Sequence, residues 1–329
     1  MKFGIIGTGW ITETYIDGAL DSGLWEFTAI FSRSLERGLE FGKKYGVTKV
    51  FTDIEEMAAS ADIDAVYVAS PNSLHFTHCR ALLKHGKHVI CEKPLAAHLK
   101  EVLELYTLAT ENHVIFLEAI MFMHLPEKKL LEEAISKIGP ISLATFDFSQ
   151  RSSKYDRYLA GELPNIFNPK LETGALMDLG VYCLYPALVL FGPPESYTVD
   201  ATLLGSGADG AGVITLRYSD KLVCLRYSKL GQAGANSDIQ GDFGTVSIES
   251  ISRLANINIT YSDGTIEHIC ADEPKYKLMG YEAKDFHRYI NEPEKTAEEY
   301  SRCCGESIFV TDYLEKFRSA AKIQFPSDQ

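Results

Sequence analysis

No apolar run in this sequence approaches the ~18 residues of a membrane span, and nothing near its start has the succession of a secretion signal. A cytoplasmic location is the expectation. Positive charge is also scarce. Thirty-two Lys and Arg against 45 Asp and Glu leave a net charge of -13 over 329 residues, which repels phosphate backbones and anionic membranes. Nucleic acid and membrane are therefore not expected partners. The seven cysteines, at 79, 91, 183, 224, 270, 303 and 304, have no regular spacing, and the adjacent Cys303 and Cys304 are poorly placed for an ordinary disulfide. Reduced thiols follow. Metal-ligand clusters are lacking too: His75 with His78 and His85 with His88 are spaced by three, but no third ligand recurs beside either pair. No metal is expected. Repeats and low-complexity segments are missing, and the acidic run from Glu294 to Glu299 reads as a solvated helix start.

What is present is an ordinary globular composition, 46% hydrophobic and 23% charged, in a chain long enough for two domains. The first ~120 residues alternate short apolar runs with amphipathic stretches. Strands are expected at Phe3 to Ile6, Phe27 to Phe31, Val50 to Phe51, Ala65 to Ala69, His88 to Cys91 and Val114 to Leu117, with helices near 10–21, 34–45, 53–60, 74–85 and 97–112. Alternation of this kind implies an α/β Rossmann fold with a doubly wound parallel sheet, placed here at residues 1–120. Beyond a helix at 127–137 the pattern turns to period-two strands. "GVITLRYSDKLVCLRYS" and the Asp263-Gly264 turn mark two hairpins, and helices follow near 279–291 and 297–321. Residues 121–329 thus read as an α+β domain with a large, mostly antiparallel open sheet, whose free face suits a second subunit.

"GIIGTGWITETY" puts Gly7-Thr8-Gly9 between the first strand and the first helix. Gly7 permits a tight turn, and Gly9 lets backbone approach a pyrophosphate drawn to the helix N-terminus at Trp10 and Ile11. Thr12 holds the position of the usual third glycine. An NAD site would carry an acid at the end of the second strand, yet that strand ends in "IFSRSLER". Ser32, Arg33, Ser34 and Arg37 suit a 2'-phosphate, which favours NADP over NAD. The same residues also read as a helix cap followed by exposed arginines.

"HVICEKPLA" ends a buried strand in two charges and a proline. In a doubly wound sheet ligands bind beyond the carboxyl ends of the strands. Those ends supply Gly7 to Gly9, Ser32 to Ser34, Ala69-Ser70-Pro71-Asn72, Glu92-Lys93-Pro94 and Glu118-Ala119. Lys93 would stand beside the cofactor, where its ammonium polarises a carbonyl or stabilises an alkoxide. Glu92 would orient it, and Pro94 would fix the turn.

"GTGWIT", "VASPNSLHF", "CEKPLA", "LEAIMF" and "GALMDLGVYCL", in this order and at these separations, resemble the Gfo/Idh/MocA oxidoreductases across essentially the whole chain. The resemblance implies that Lys93 is catalytic beside the nicotinamide and that the segment from Ser70 to His75 lines the cofactor. It also makes Tyr182 the proton donor or acceptor, with Asp178 contacting substrate. Tyrosine rather than histidine at 182 is similar to the branch containing glucose-fructose oxidoreductase and dihydrodiol dehydrogenase. Met123-His124 stands where relatives of that branch commonly show Arg-Phe. The expected function is hydride transfer between NADP and a secondary alcohol or carbonyl of a sugar, polyol or cyclic diol, in a homodimer or homotetramer. Two alternatives remain: a non-catalytic dinucleotide sensor, and an NAD-dependent glycoside hydrolase.

Overall fold

A computed structural model describes residues 1–328. Its first half alternates as expected. The strands are β1 (Lys2–Ile6), β2 (Glu26–Phe31), β3 (Val50–Phe51), β4 (Ala65–Val68), β5 (His88–Glu92) and β6 (Phe116–Ala119). Between them run α1 (Trp10–Asp21), α2 (Leu35–Lys43), α3 (Ile54–Ala59), α4 (His75–Lys84) and α5 (Leu99–Glu111). The six strands form a parallel sheet in the order β3-β2-β1-β4-β5-β6, the doubly wound arrangement that reverses direction beside β1. Central strands buried on both faces cannot alternate polar with apolar. Accordingly β4 is wholly buried, and Ile5, Ile90 and Val66 have no exposed surface.

One boundary moves in a way that matters. Glu118 and Ala119 belong to β6 itself rather than lying past its end. Glu118 pairs with Cys91 and Ala119 with Glu92, and both are buried. The turn before the strand is made by His113 in the left-handed region, φ 54°, which shifts the start two residues later than apolar character alone suggests.

The second half contains α6 (Glu127–Lys137), β7 (Ile141–Ser149), α7 (Tyr155–Leu159), α8 (Val181–Phe191), β8 (Ser196–Leu203), β9 (Asp209–Arg217), β10 (Leu222–Ser228), β11 (Ser237–Gly241), β12 (Gly244–Ser250), β13 (Ala255–Tyr261) and β14 (Ile266–Cys270). Then come α9 (Lys275–Asn291) and α10 (Pro293–Ala320). The sheet has eight strands, β14-β13-β12-β11-β7-β10-β9-β8, antiparallel throughout except where β7 and β10 run parallel. Both expected hairpins are present, β9 with β10 and β13 with β14. On β10, β12 and β13 one set of alternate side chains is buried while the other stays partly exposed. The sheet therefore has one packed face and one open face.

The chain divides into two compact units, Met1–Met121 with Pro274–Thr311, and Phe122–Glu273 with Asp312–Gln329. Residues 274–311 thus return to the dinucleotide-type unit, whereas the sequence pattern placed them with the second half. The reason is side-chain chemistry at long sequence separation. A Cβ on Gly18 of α1 would lie 2.3 Å from the Tyr276 carbonyl oxygen, so the two helices meet backbone to backbone. Trp25 stacks on Phe286 at 5.5 Å and donates its indole N–H to the Ala283 carbonyl at 2.9 Å. Helical periodicity identifies α9 as amphipathic without saying which core it joins.

Candidate functional site

In the first unit, the turn after β1 is set by sterics. Gly7 sits at φ +105°, and a Cβ there would come within 2.4 Å of the Ala69 carbonyl oxygen. Only glycine lets the phosphate-loop backbone pass the β4 end this closely. Gly9 meets the opposite condition: an added Cβ would face open space. It caps α1 with no side-chain hydrogen bond, leaving the first helical N–H groups directed at that space. Thr8 and Ile11 are half-buried, and Trp10 is exposed with the Lys275 ammonium 4.5 Å above its ring. Thr12 is fully buried, filling the helix-to-sheet contact that a third glycine would leave small.

At the end of β2, the capping reading of the Ser-Arg-Ser segment is observed. Ser34 caps α2, its hydroxyl accepting from the Arg37 N–H at 3.3 Å, and the Ser34 N–H donates to Ser32 Oγ at 3.3 Å. The guanidinium groups of Arg33 and Arg37 are exposed and have no ion-pair partner among the described residues. Capping fixes the backbone while the two cations stay available. Free N–H groups at an open helix end beside unpaired cations fit a phosphorylated dinucleotide.

The remaining strand ends are tied from behind. Ser70, Pro71 and Asn72 are half-buried and lead into a single 3-10 turn before α4. Glu92 accepts the Tyr67 hydroxyl at 2.6 Å, and Tyr67 stacks flat on Tyr15 at 3.9 Å. Lys93 is half-buried, and the bond to Pro94 is cis. His75 is buried, with Nδ1 2.9 Å from the Pro94 carbonyl oxygen and Nε2 2.9 Å from that of Ser70. Glu282 of α9 is buried nearby in charge terms. Burial first, then the Glu92 charge, raises its carboxyl well above the usual range. The other paired histidines have structural work as well: His85 Nδ1 faces the Ala81 carbonyl, and His88 Nδ1 accepts the Ile115 N–H, each at 2.9 Å.

In the second unit, Asp178 lies in a π-helical turn, Leu176–Gly180, and Tyr182 in the first turn of α8. Such wide turns are rare and concentrate at functional sites. The cost of Gly180 inside a helix is explained by a protein neighbour: its added Cβ would lie 3.1 Å from the Tyr227 ring. Tyr182 is half-buried and meets Phe148 edge to face at 5.2 Å.

Sequence reasoning missed Lys229, which is 4% exposed and forms an ion pair with Asp178. It also donates to the Ile166 carbonyl at 3.0 Å and lies 5.8 Å from the Phe167 ring. Asp209, fully buried, completes the cluster by accepting the Leu176 N–H at 2.7 Å, and so holds the start of the π turn. Burial pushes the Asp209 carboxyl up to about 6. The Leu176 N–H and the Lys229 charge restrain that rise, and the Asp178 charge adds to it. One signal was available: "YSKLG" breaks the alternation of β10 with a lysine at the strand end, the position that singled out Lys93.

A phosphate-loop unit with a strand-end lysine, joined in one chain to a large antiparallel sheet unit carrying an Asp and Tyr helix, defines a class of two-domain dinucleotide oxidoreductases. The family description "Oxidoreductase family, NAD-binding Rossmann fold" matches residues 1–119, and "GFO/IDH/MocA C-terminal domain" matches residues 129–247. This chain belongs to the Gfo/Idh/MocA oxidoreductase family. It is 40% identical to scyllo-inositol 2-dehydrogenase (NADP(+)) IolU of Bacillus subtilis over all of this chain and 99% of that one. It is 25% identical to trans-1,2-dihydrobenzene-1,2-diol dehydrogenase of Danio rerio, again over 100% of this chain and 99% of the relative. Among solved structures, a 3-ketoreductase from Actinomadura kijaniata in complex with NADP and TDP-benzene superposes with a TM-score of 0.84. It covers 97% of each chain at 20% identity and supports the fold.

Proposed function

We propose that this protein is an NADP-dependent oxidoreductase that moves hydride between the cofactor and a secondary alcohol or carbonyl of a polyol, sugar or cyclic diol. The observation that carries the cofactor choice is the pair of exposed, unpaired guanidinium groups, Arg33 and Arg37, at the β2 end of a chain whose net charge is -13. An acid there would repel a 2'-phosphate, and these arginines attract it. The 40% identity to an NADP(+)-linked inositol dehydrogenase supports the same reading and favours cyclic polyols among the substrates.

When bound, NADP supplies or accepts the hydride at nicotinamide C4. The chain's own residues do the rest. Gly7, Thr8, Gly9, Trp10 and Ile11 would hold the pyrophosphate, and Ser32, Arg33, Ser34 and Arg37 the 2'-phosphate. Ala69, Ser70, Pro71, Asn72, Glu92, Glu118 and Ala119 would bound the nicotinamide side. Tyr182 would move the proton at the substrate oxygen, and Lys93 would stabilise negative charge developing on the substrate. Asp178, with Lys229 at its back, would accept a substrate hydroxyl.

Arg33→Asp tests the cofactor assignment. By fluorescence titration NADPH should bind at least tenfold more weakly while NADH affinity changes little, a differential of ~1.4 kcal/mol or more. Equal losses for the two cofactors refute the 2'-phosphate role.

We further infer self-association through the open face of the eight-stranded sheet, where Val213 is exposed and Cys224 and Asn258 are partly exposed. Light scattering should give two or four times the 36.6 kDa chain mass, and a monomer mass rejects the inference.

A further inference from the structure

The ring of His75 is enclosed between two acceptors. Its nitrogens each lie 2.9 Å from a backbone carbonyl oxygen, Pro94 on one side and Ser70 on the other, and the residue is 1% exposed. A carbonyl oxygen accepts and never donates, so each contact requires an N–H on the ring. A neutral imidazole has one N–H, and only the imidazolium has two. Either neutral tautomer would set a nitrogen lone pair against a carbonyl lone pair, in a place where neither group reaches water.

The neighbouring histidine is consistent with a charge here. His78, one helical turn along α4, has Nδ1 3.0 Å from the Ser70 hydroxyl, which can donate to it. Burial first, and the His75 charge second, push its imidazole down to about 4, so it stays neutral. Ser70 thus offers its carbonyl to a charged ring and its hydroxyl to an uncharged one.

Two acidic residues lie on the adjoining strands. Glu92 ends β5 two residues before Pro94, and the buried Glu118 pairs in register with Cys91 on the adjoining strand. Lys93 opposes the charge. Tyr67 from β4 is committed to Glu92. Arg80 of α4 pairs with Glu104 of α5 at 2.7 Å, and His85 Nε2 lies 3.6 Å from a carboxylate oxygen of Glu55 on α3.

We propose that His75 is a permanently protonated clamp that fastens the loop after β4 to the loop after β5, making it the positioning residue for Lys93. This rests on the reading of Lys93 as a catalytic residue. The clamp itself does not touch substrate. It ties the Pro94 carbonyl, next to the lysine, to the Ser70 carbonyl of the loop after β4, and it places a buried positive charge under the strand ends assigned to the dinucleotide.

The test is long-range proton–nitrogen NMR on protein labelled with ¹⁵N-histidine, at about pH 8, where an unperturbed histidine is neutral. One of the nine histidines should show two imidazolium-type nitrogens, and this signal should vanish in His75→Gln. A wild-type spectrum containing only neutral rings overturns the clamp whether or not any variant folds. Kinetics supply the positioning readout. His75→Leu should lower kcat by ~10- to 100-fold with KM for NADPH changed far less, and His75→Gln, whose amide regains N–H donors, should recover part of the loss. An unchanged kcat in His75→Leu overturns the positioning role. If the imidazolium signal is present while Lys93→Met retains full turnover, the clamp stands and the lysine assignment falls.

Discussion

Lys93→Met should lower turnover by ~10²- to 10⁴-fold while NADPH binding stays close to wild type. Methionine keeps the length and apolar body of the lysine stem and removes only the ammonium, so the strand end should keep its packing. The cofactor's phosphates are assigned to other loops, which is why affinity should survive. What is lost is a cation at the point where negative charge appears as an alcohol gives up its proton or a carbonyl accepts hydride. Tyr182→Phe should produce a loss of the same order if, as proposed, the phenol carries the proton in the same step. If both groups serve that one step, the double variant should be little worse than either single one. The measurement is steady-state kcat and kcat/KM with NADP and a cyclic polyol that the wild type turns over, alongside NADPH titration. Full turnover in Lys93→Met removes the lysine from the mechanism. Strictly multiplicative losses would mean that lysine and tyrosine serve separate steps.

Much of the fold is legible in the sequence, for identifiable reasons. Parallel strands buried on both faces leave uninterrupted apolar runs, and each run stops where a ligand-facing loop begins. That is why Gly7, Ser32, Ser70 and Lys93 stand out in one dimension. The Ser-Arg-Ser segment was readable as either a cap or a phosphate site, and the structure shows that capping by Ser34 leaves the Arg33 and Arg37 guanidinium groups unpaired. What could not be read was pairing across distance. Nothing local tells α9 to pack on α1, because the instruction lies in Gly18, Trp25 and Phe286, which are far apart in sequence. Glu282 looks like any helix-surface acid in "YEAKDF", yet it is buried. Spacing put Asp178 and Tyr182 on one helical face, but the π turn that carries Asp178 depends on a carboxylate 33 residues on, Asp209, taking the Leu176 N–H.

The same cluster makes Lys229 a sensitive position in the second unit. Lys229→Met should destabilise the fold by about 3–5 kcal/mol near neutral pH, because it leaves a carboxylate partner without its cation in a buried setting. The pH dependence separates this cause from loss of packing. Asp209 is raised to about 6 with Lys229 present, and the lysine is one of the groups holding it down, so removing the lysine raises it further. An acid whose folded value lies above its unfolded value of ~3.9 carries no penalty when both states are protonated. The penalty grows as pH rises through the folded value and is then constant. In wild type that growth ends near pH 6, whereas in the variant it continues toward higher pH. The stability gap between the two should therefore be smaller at about pH 5 and largest at about pH 8. Asp178→Asn in the Lys229→Met background should restore part of the loss, because a neutral amide needs no cation. Thermal unfolding followed by circular dichroism at the two pH values measures all three chains. A gap that is the same at both pH values would show that Lys229 does not act on Asp209 through its charge, and an Asp178→Asn change that restores nothing would show that the ion pair with Asp178 is not what the fold loses.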